Sequence, residues 1–492
     1  MNSNIISLRR KCGRGPSMDE KKELCIKSID QGGKQILEVI KQKSCGKGKK
    51  VVIVGAGFAG LMCGWILEKM DYKVTILEAR PRIGGRVHTL KKNGRLIEAG
   101  GEFIGLNHPL WLFLANYFGL GLSSLSDEEN LAGQGLETPM VLNGEKICSE
   151  EMEELEHELN DVLMKISEDA NQLCCPDKPW MECEEIQKLD CVSVKDKLDE
   201  WCVTGKVRIL IEALLENANL APTCEQSYLG LLSEVKGFPN FNAQLFWDVV
   251  EVFRCSNGNQ SLAEYLAKHL KVICDSPVKY IKLCNDKIIT KTDSCKYKSD
   301  YIVVTVPPSV WCNIKFKPCF DEKKYRPAMG PAIKWINKLD NRFWIKENLS
   351  PNGISSCLGK TFEATENQNV LCEKNQNIYL NLFSGGPDAE RASRKKYFIK
   401  GMDELYNCKF SCHLQKAKLI EWPNLKYTET GYSFVAVGNA VTVSKKLYYP
   451  VKEFCNRLIF AGEHTQINFT GFMEGALQSG LRAADEIIDL DN

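Results

Sequence analysis

Val51–Val54 is a short run of β-branched residues that ends at a cluster of glycines. Such a run, bounded by turn residues, predicts a buried strand. Apolar residues then recur at helical spacing from Ala59 to Met70, and Lys73–Leu77 reads as a second strand. The three pieces predict one βαβ unit. Upstream, residues 1–18 carry no pattern that would bury them and are expected to be disordered. Residues from Asp19 to about Lys41 show loose helical spacing around ILEVI and lead into the linker KSCGKGKK. The texture changes over 147–235, where EEMEELEHELNDVLMKI and KVRILIEALLENANL are long, charged and helix-periodic. Strand character returns over 257–310 in VKYIKL, DKIITKTDS and DYIVVTV. A mixed stretch from Pro318 to about Tyr449 carries Trp335, Trp344 and Trp422. The final block, NRLIFAGEHTQINFTGFMEGALQSGLRAADEII, reads as strand, glycine turn, loop and helix.

The order of these textures predicts an α/β fold in which a discontinuous Rossmann-type domain holds an inserted, mixed α+β domain. The expected pieces are a disordered 1–18, a helix and linker over 19–48, and a first nucleotide-binding part over 49–125. A helical part of the inserted domain follows over 126–250, then the second nucleotide-binding part over 251–315. The inserted domain resumes over 316–449, and 450–492 closes the nucleotide-binding domain.

A length of 492 residues agrees with more than one lobe, and 64 basic against 63 acidic residues leave the chain nearly neutral. That balance gives no electrostatic reason to expect nucleic acid as a partner. The 22 cysteines lack zinc-ligand or repeated disulfide spacing and read as free thiols of a reducing compartment. No signal peptide or membrane-spanning run is seen. The expectation is a cytoplasmic protein with no membrane partner, and a homodimer is compatible with all of this.

The chemistry is concentrated around Gly55-Ala56-Gly57-Phe58-Ala59-Gly60. In this pattern the first glycine makes the tight turn, the second admits a diphosphate to the backbone, and the third lets helix pack on strand. The diphosphate then meets the free N–H groups of a helix N-terminus. Glu78 at the end of the second strand suits the ribose hydroxyls. Behind it, Ala79-Arg80-Pro81-Arg82-Ile83-Gly84-Gly85-Arg86 adds glycines and three arginines, whose guanidinium groups suit a second approach to a diphosphate.

ExRxRxGGR behind GxGxxG resembles the flavin-containing amine oxidase superfamily, which includes monoamine oxidases, polyamine oxidases, L-amino-acid oxidases and histone demethylases. The closing LIFAGEHT…GFMEGALQSGLRAA is similar as well, and the resemblance runs over about residues 35 to 488. It implies a non-covalent FAD contacted by the glycine loop, Glu78, Ala79, Arg80, Gly85, Arg86, Gly101, Glu102, Val278, Gly462, Glu463, Phe472 and Met473. It further implies that Lys334, ten residues before Trp344, lies near the reactive flavin nitrogen, with Lys338 the lysine most easily confused with it. Tyr432 and Phe472 match the pair of aromatic residues that flank the substrate nitrogen. Gly431 stands where monoamine oxidases carry the cysteine that binds their flavin.

The implied reaction transfers hydride from an amine C–H to flavin N5. The imine hydrolyses to an aldehyde and ammonia or an amine, and O2 is reduced to H2O2. Three readings stay open beside it: an L-amino-acid oxidase, a carbon-chain desaturase of the same fold, and a catalytically silent flavin-binding scaffold. Phe103 stands near the place of a carboxylate-binding arginine, with Arg254 the nearest replacement. Glu102 reads either as a structural carboxylate or as an anchor for the distal ammonium of a diamine.

Overall fold

The computed structural model describes residues 16–41, 46–125, 135–368 and 377–492. A five-stranded, all-parallel sheet is ordered Leu458–Phe460, Tyr301–Val304, Lys50–Val54, Lys73–Leu77, Val272–Ile273. Its central strands are buried on both faces, which explains why they read as continuous β-branched runs rather than alternating ones. Strands from three widely separated parts of the chain thus pair side by side, with Ile53 in register with Ile76 on one side and Val303 on the other. Helices Phe58–Lys69 and Met473–Asp491 cover one face and pack on each other, and a Cβ at Gly480 would lie 2.4 Å from the Ala59 carbonyl oxygen. The first of these helices begins one residue earlier than the hydrophobic spacing suggests, because Gly57 takes the N-cap position.

A second, seven-stranded sheet is built on Ala332–Leu339, flanked by Leu414–Glu421 and Ile378–Gly385. Its far edge contains Met140–Leu142 and Glu145–Lys146. The segment 126–250 therefore contributes a hairpin as well as helices. The turn residues Asn143 and Gly144, both at positive φ, are the sequence signal for it. The helices Ser149–Asn171, Gly205–Asn219 and Tyr228–Lys236 share one apolar core.

Of the N-terminal stretch expected to be disordered, residues 1–15 lie outside the described residues. Ser17 and Glu20 form a reciprocal capping box, and the helix Met18–Ile40 starts there. This helix seats closely on the helix Pro109–Phe118, since a Cβ at Gly32 would lie 2.2 Å from the Pro109 carbonyl oxygen. Among the described residues no helix is long and apolar enough to cross a membrane, and no cluster of side chains could hold a metal ion. The described cysteines are free thiols.

Candidate active site

The parallel sheet ends in a turn that only glycine fits easily. Gly55 sits at φ +106°, and a Cβ there would lie 2.6 Å from the Thr305 hydroxyl. Gly60 packs against the Gly55 carbonyl oxygen, and Ala56 donates its N–H to the Glu78 carboxylate at 2.8 Å. These two residues shape the turn from behind, whereas Gly55, Gly57, Phe58 and Ala59 line a cavity above it. At Gly57 the space is open, with Gly85 Cα 4.0 Å away as the nearest atom a Cβ would meet. Glu78, Ala79 and Arg80 line the same cavity, as does Val278 from within the middle segment. Glu78 also accepts the Arg80 N–H at 2.9 Å, so its carboxylate is held in place by two backbone donors.

The three arginines have different partners within the chain, and Arg80 and Arg86 line the cavity. Arg82 turns back onto its own loop and donates to the carbonyl oxygens of Ile83, Gly85 and Val87. Arg80 ties the loop to Lys426 O and the Thr428 hydroxyl. Arg86 donates to Glu463 Oε1 at 2.6 Å and to Gly431 O at 3.1 Å. Burial alone would push the Glu463 carboxyl up, but Arg86 and the donors Ser433 Oγ and Gly471 N hold it below the usual range. This ionised pair joins the first and last parts of the nucleotide-binding domain at the cavity wall.

Further along the same cavity, Gly101, Glu102, Lys334, Gly431, Tyr432, Gly462, Phe472 and Met473 are brought together. Lys334 lies on Ala332–Leu339, the strand next to the edge of the second sheet, and is 4% exposed. Its Nζ donates to Glu98 O, Gly100 O and Glu102 Oε2 at 3.1, 3.0 and 2.7 Å. Lys338, four residues on, does not line the cavity, and Trp344 is core. The Tyr432 hydroxyl donates to Ala218 O at 2.8 Å, while its ring lies against Gly471. The Phe472 ring packs edge-on against buried His108, with centroids 5.3 Å apart.

Glu102 is not available to anchor a substrate ammonium. Besides Lys334 it accepts Arg254 Nε at 2.9 Å, and Arg254 also holds Glu366 at 3.0 Å. Its two oxygens are each taken by a cation, which makes it a fixed counter-ion. Arg254 is committed in the same way, so it does not replace the missing arginine near Phe103. Several lining residues were not singled out from sequence: Ala218, Glu234, Glu251, Lys360, Phe362 and Phe383. For Glu234 a signal did exist, a lone acidic residue inside the apolar run YLGLLSEV.

The donor set fits a long dinucleotide carrying a ring system: a helix N-terminus under an open glycine, a fixed carboxylate near it, and an apolar chamber at the other end. None of the residues lining the cavity is a cysteine.

Comparison with known proteins agrees. The family model described as flavin containing amine oxidoreductase matches residues 58–488, and one described as pyridine nucleotide-disulphide oxidoreductase matches residues 14–98. A probable flavin-containing monoamine oxidase A from Dictyostelium discoideum is 27% identical over 463 residues, 89% of this chain and 97% of that one. Flavin-containing amine oxidase A from Sus scrofa is 25% identical over 492 residues, covering 91% of this chain and 86% of its own. Among solved structures, putrescine oxidase bound to putrescine superposes with a TM-score of 0.78 at 19% identity, over 90% of this chain and 99% of that one. Cyclohexylamine oxidase from Brevibacterium oxydans gives 0.74 at 20% identity with the same coverage. These two share the fold. With the family model matched from the first helix of the glycine motif to the closing helix, the chain belongs to the flavin-containing amine oxidoreductases, whose cofactor is FAD.

Proposed function

We propose that this chain oxidises a small-molecule amine at the C–H bond next to nitrogen, with FAD held non-covalently and O2 as the acceptor. The observation that carries the reading is the shared cavity: Lys334, Tyr432 and Phe472 line the same space as the glycine loop. Bound FAD supplies the two-electron acceptor at N5 and the route by which the electrons reach O2 as H2O2. The residues supply the surroundings. The Gly57 turn and the helix behind it hold a diphosphate, and Glu78 is fixed to receive ribose hydroxyls. The rings of Tyr432 and Phe472 give the substrate nitrogen an apolar, π-rich wall. Burial away from bulk water in the chamber disfavours the ammonium form and so favours the neutral amine, the form whose C–H is oxidised. Lys334 forms an ion pair with Glu102 at the chamber wall, its Nζ fixed by Glu98 O, Gly100 O and Glu102 Oε2. The product imine then hydrolyses to an aldehyde and ammonia or an amine.

Non-covalent attachment is supported by Gly431. A Cβ there would stand 2.7 Å from both Ala332 Cβ and Leu220 Cδ1, so this position has no room for a linking side chain. The amino-acid reading is weakened by Arg254, whose guanidinium is already shared between Glu102 and Glu366.

The purified protein is expected to be yellow, to release FAD on denaturation without protease, and to bleach when an amine is added without oxygen. Peroxide should appear when air is admitted. A holoprotein that none of a panel of monoamines, diamines, polyamines and L-amino acids can bleach would refute the assignment.

A further inference from the structure

The charged groups of the chamber are nearly all paired. Glu102 has Lys334 and Arg254, and Glu251 has Lys360 at 3.6 Å. Glu463 has Arg86. Glu234 is the exception. It lies on the helix Tyr228–Lys236, whose Leu231, Leu232 and Val235 face the core, and it lines the cavity at 6% exposure. Among the described residues it has neither a hydrogen bond nor an ion pair. Thr470 lines the same cavity, and Glu234 and Glu251 are both close enough to Tyr432 for their charges to bear on it.

An unpaired buried carboxyl is costly unless something compensates it. Burial pushes this one up to about 7. Any of the surrounding apolar positions could have been filled by leucine at no such cost. A monoamine offers no compensation, because its single nitrogen must be neutral to react. A substrate with two basic nitrogens does: one is neutral beside Tyr432 and Phe472, and the other stays an ammonium.

We infer that Glu234 is the receptor for a second, non-reacting cationic nitrogen, and that the preferred substrates are diamines or polyamines. Glu234 then determines specificity, and the role first imagined for Glu102 passes to a different wall of the chamber. The inference rests on the amine-oxidase reading above, and the experiment keeps the two apart.

Wild-type holoenzyme is assayed by peroxide release with short α,ω-diaminoalkanes, each against the n-alkylamine of equal length. The same pairs are run with Glu234→Gln and Glu234→Asp, with FAD content as the check on folding. In the wild type the best diamine should exceed its monoamine in kcat/KM by at least about 30-fold, as expected for a desolvated charge pair. Glu234→Gln should collapse that ratio towards unity, mostly through KM, and Glu234→Asp should restore part of it. If the wild type shows no preference, or if Glu234→Gln keeps it, the inference is overturned while amine oxidation stands. Should Glu234→Gln fail to bind FAD, the wild-type ratios alone still decide. If no amine of either kind is oxidised, the broader reading falls first.

Discussion

Replacing Lys334 by methionine keeps most of the side-chain volume and removes three donors and a charge. Two of the acceptors, Glu98 O and Gly100 O, lose a partner in a buried setting, at roughly 1–3 kcal/mol for an unsatisfied group. Glu102 loses one cation but keeps Arg254, which limits the damage from the unpaired charge. A net cost of about 3 kcal/mol follows. For a chain of this length, at about 2.1 cal/mol/K per residue, that amounts to a Tm drop of roughly 3 °C. FAD should remain bound, since the glycine loop, Glu78 and the Arg86–Glu463 pair are untouched. The catalytic effect should be much larger. A single preorganised charge beside a reacting centre is worth on the order of a hundredfold in rate. Stopped-flow mixing, first with amine under anaerobic conditions and then with oxygen, separates the two half-reactions, and one of them should slow by that factor. If Lys334→Met retains both rates with FAD bound, Lys334 is only a structural counter-ion of Glu102.

Three further outcomes are expected. Gly431→Cys should fail to attach FAD, because the new side chain meets Ala332 and Leu220; mass spectrometry should show unmodified protein, with about 1–3 kcal/mol of stability lost to overpacking. Glu463→Gln should weaken FAD binding at least about tenfold in equilibrium dialysis, since Arg86 loses its ionised partner and Gly471 N–H a charged acceptor. Burial raises Glu234 in the folded state from 4.5 to about 7, so its contribution is fully present below about pH 4.5 and is lost as pH rises through 7. At about 1.4 kcal/mol per pH unit, that loss is on the order of 3 kcal/mol. Glu234→Gln should therefore gain Tm relative to wild type between pH 5 and pH 8, and thermal melts showing a constant difference would refute the titration.

The glycine loop was legible in the sequence because each of its residues answers a local demand of turn, strand and helix. Lys334, Tyr432 and Phe472 were reachable only through resemblance, yet they line one cavity with that loop. The partners of Lys334 were not legible. Glu98, Gly100 and Glu102 come from a segment more than two hundred residues away, and only the packing of Ile97 and Ala99 against Ile336 of the second sheet brings them within reach. The same holds for Arg254, which read as a free guanidinium and proves to be held by two carboxylates. The hairpin at 140–146 is marked in the sequence only by its turn, because the first of its short strands is completed by pairing with Ile354–Ser355, far along the chain.

The seat of the first helix on Pro109–Phe118 ties the chain's beginning to the aromatic end of the chamber. Helix Pro109–Phe118 follows directly on His108, the residue that backs Phe472, and its Leu110 and Trp111 amides donate to Glu474, two positions past that ring. A shortened protein lacking this opening helix would take Ile36 and Val39 out of the core and uncover Pro109 and Phe113, on which Gly32 and Gly33 seat. Its amine-facing wall would lose support from behind although nothing inside the cavity had been altered. Trimming the chain into this helix is thus expected to perturb substrate handling.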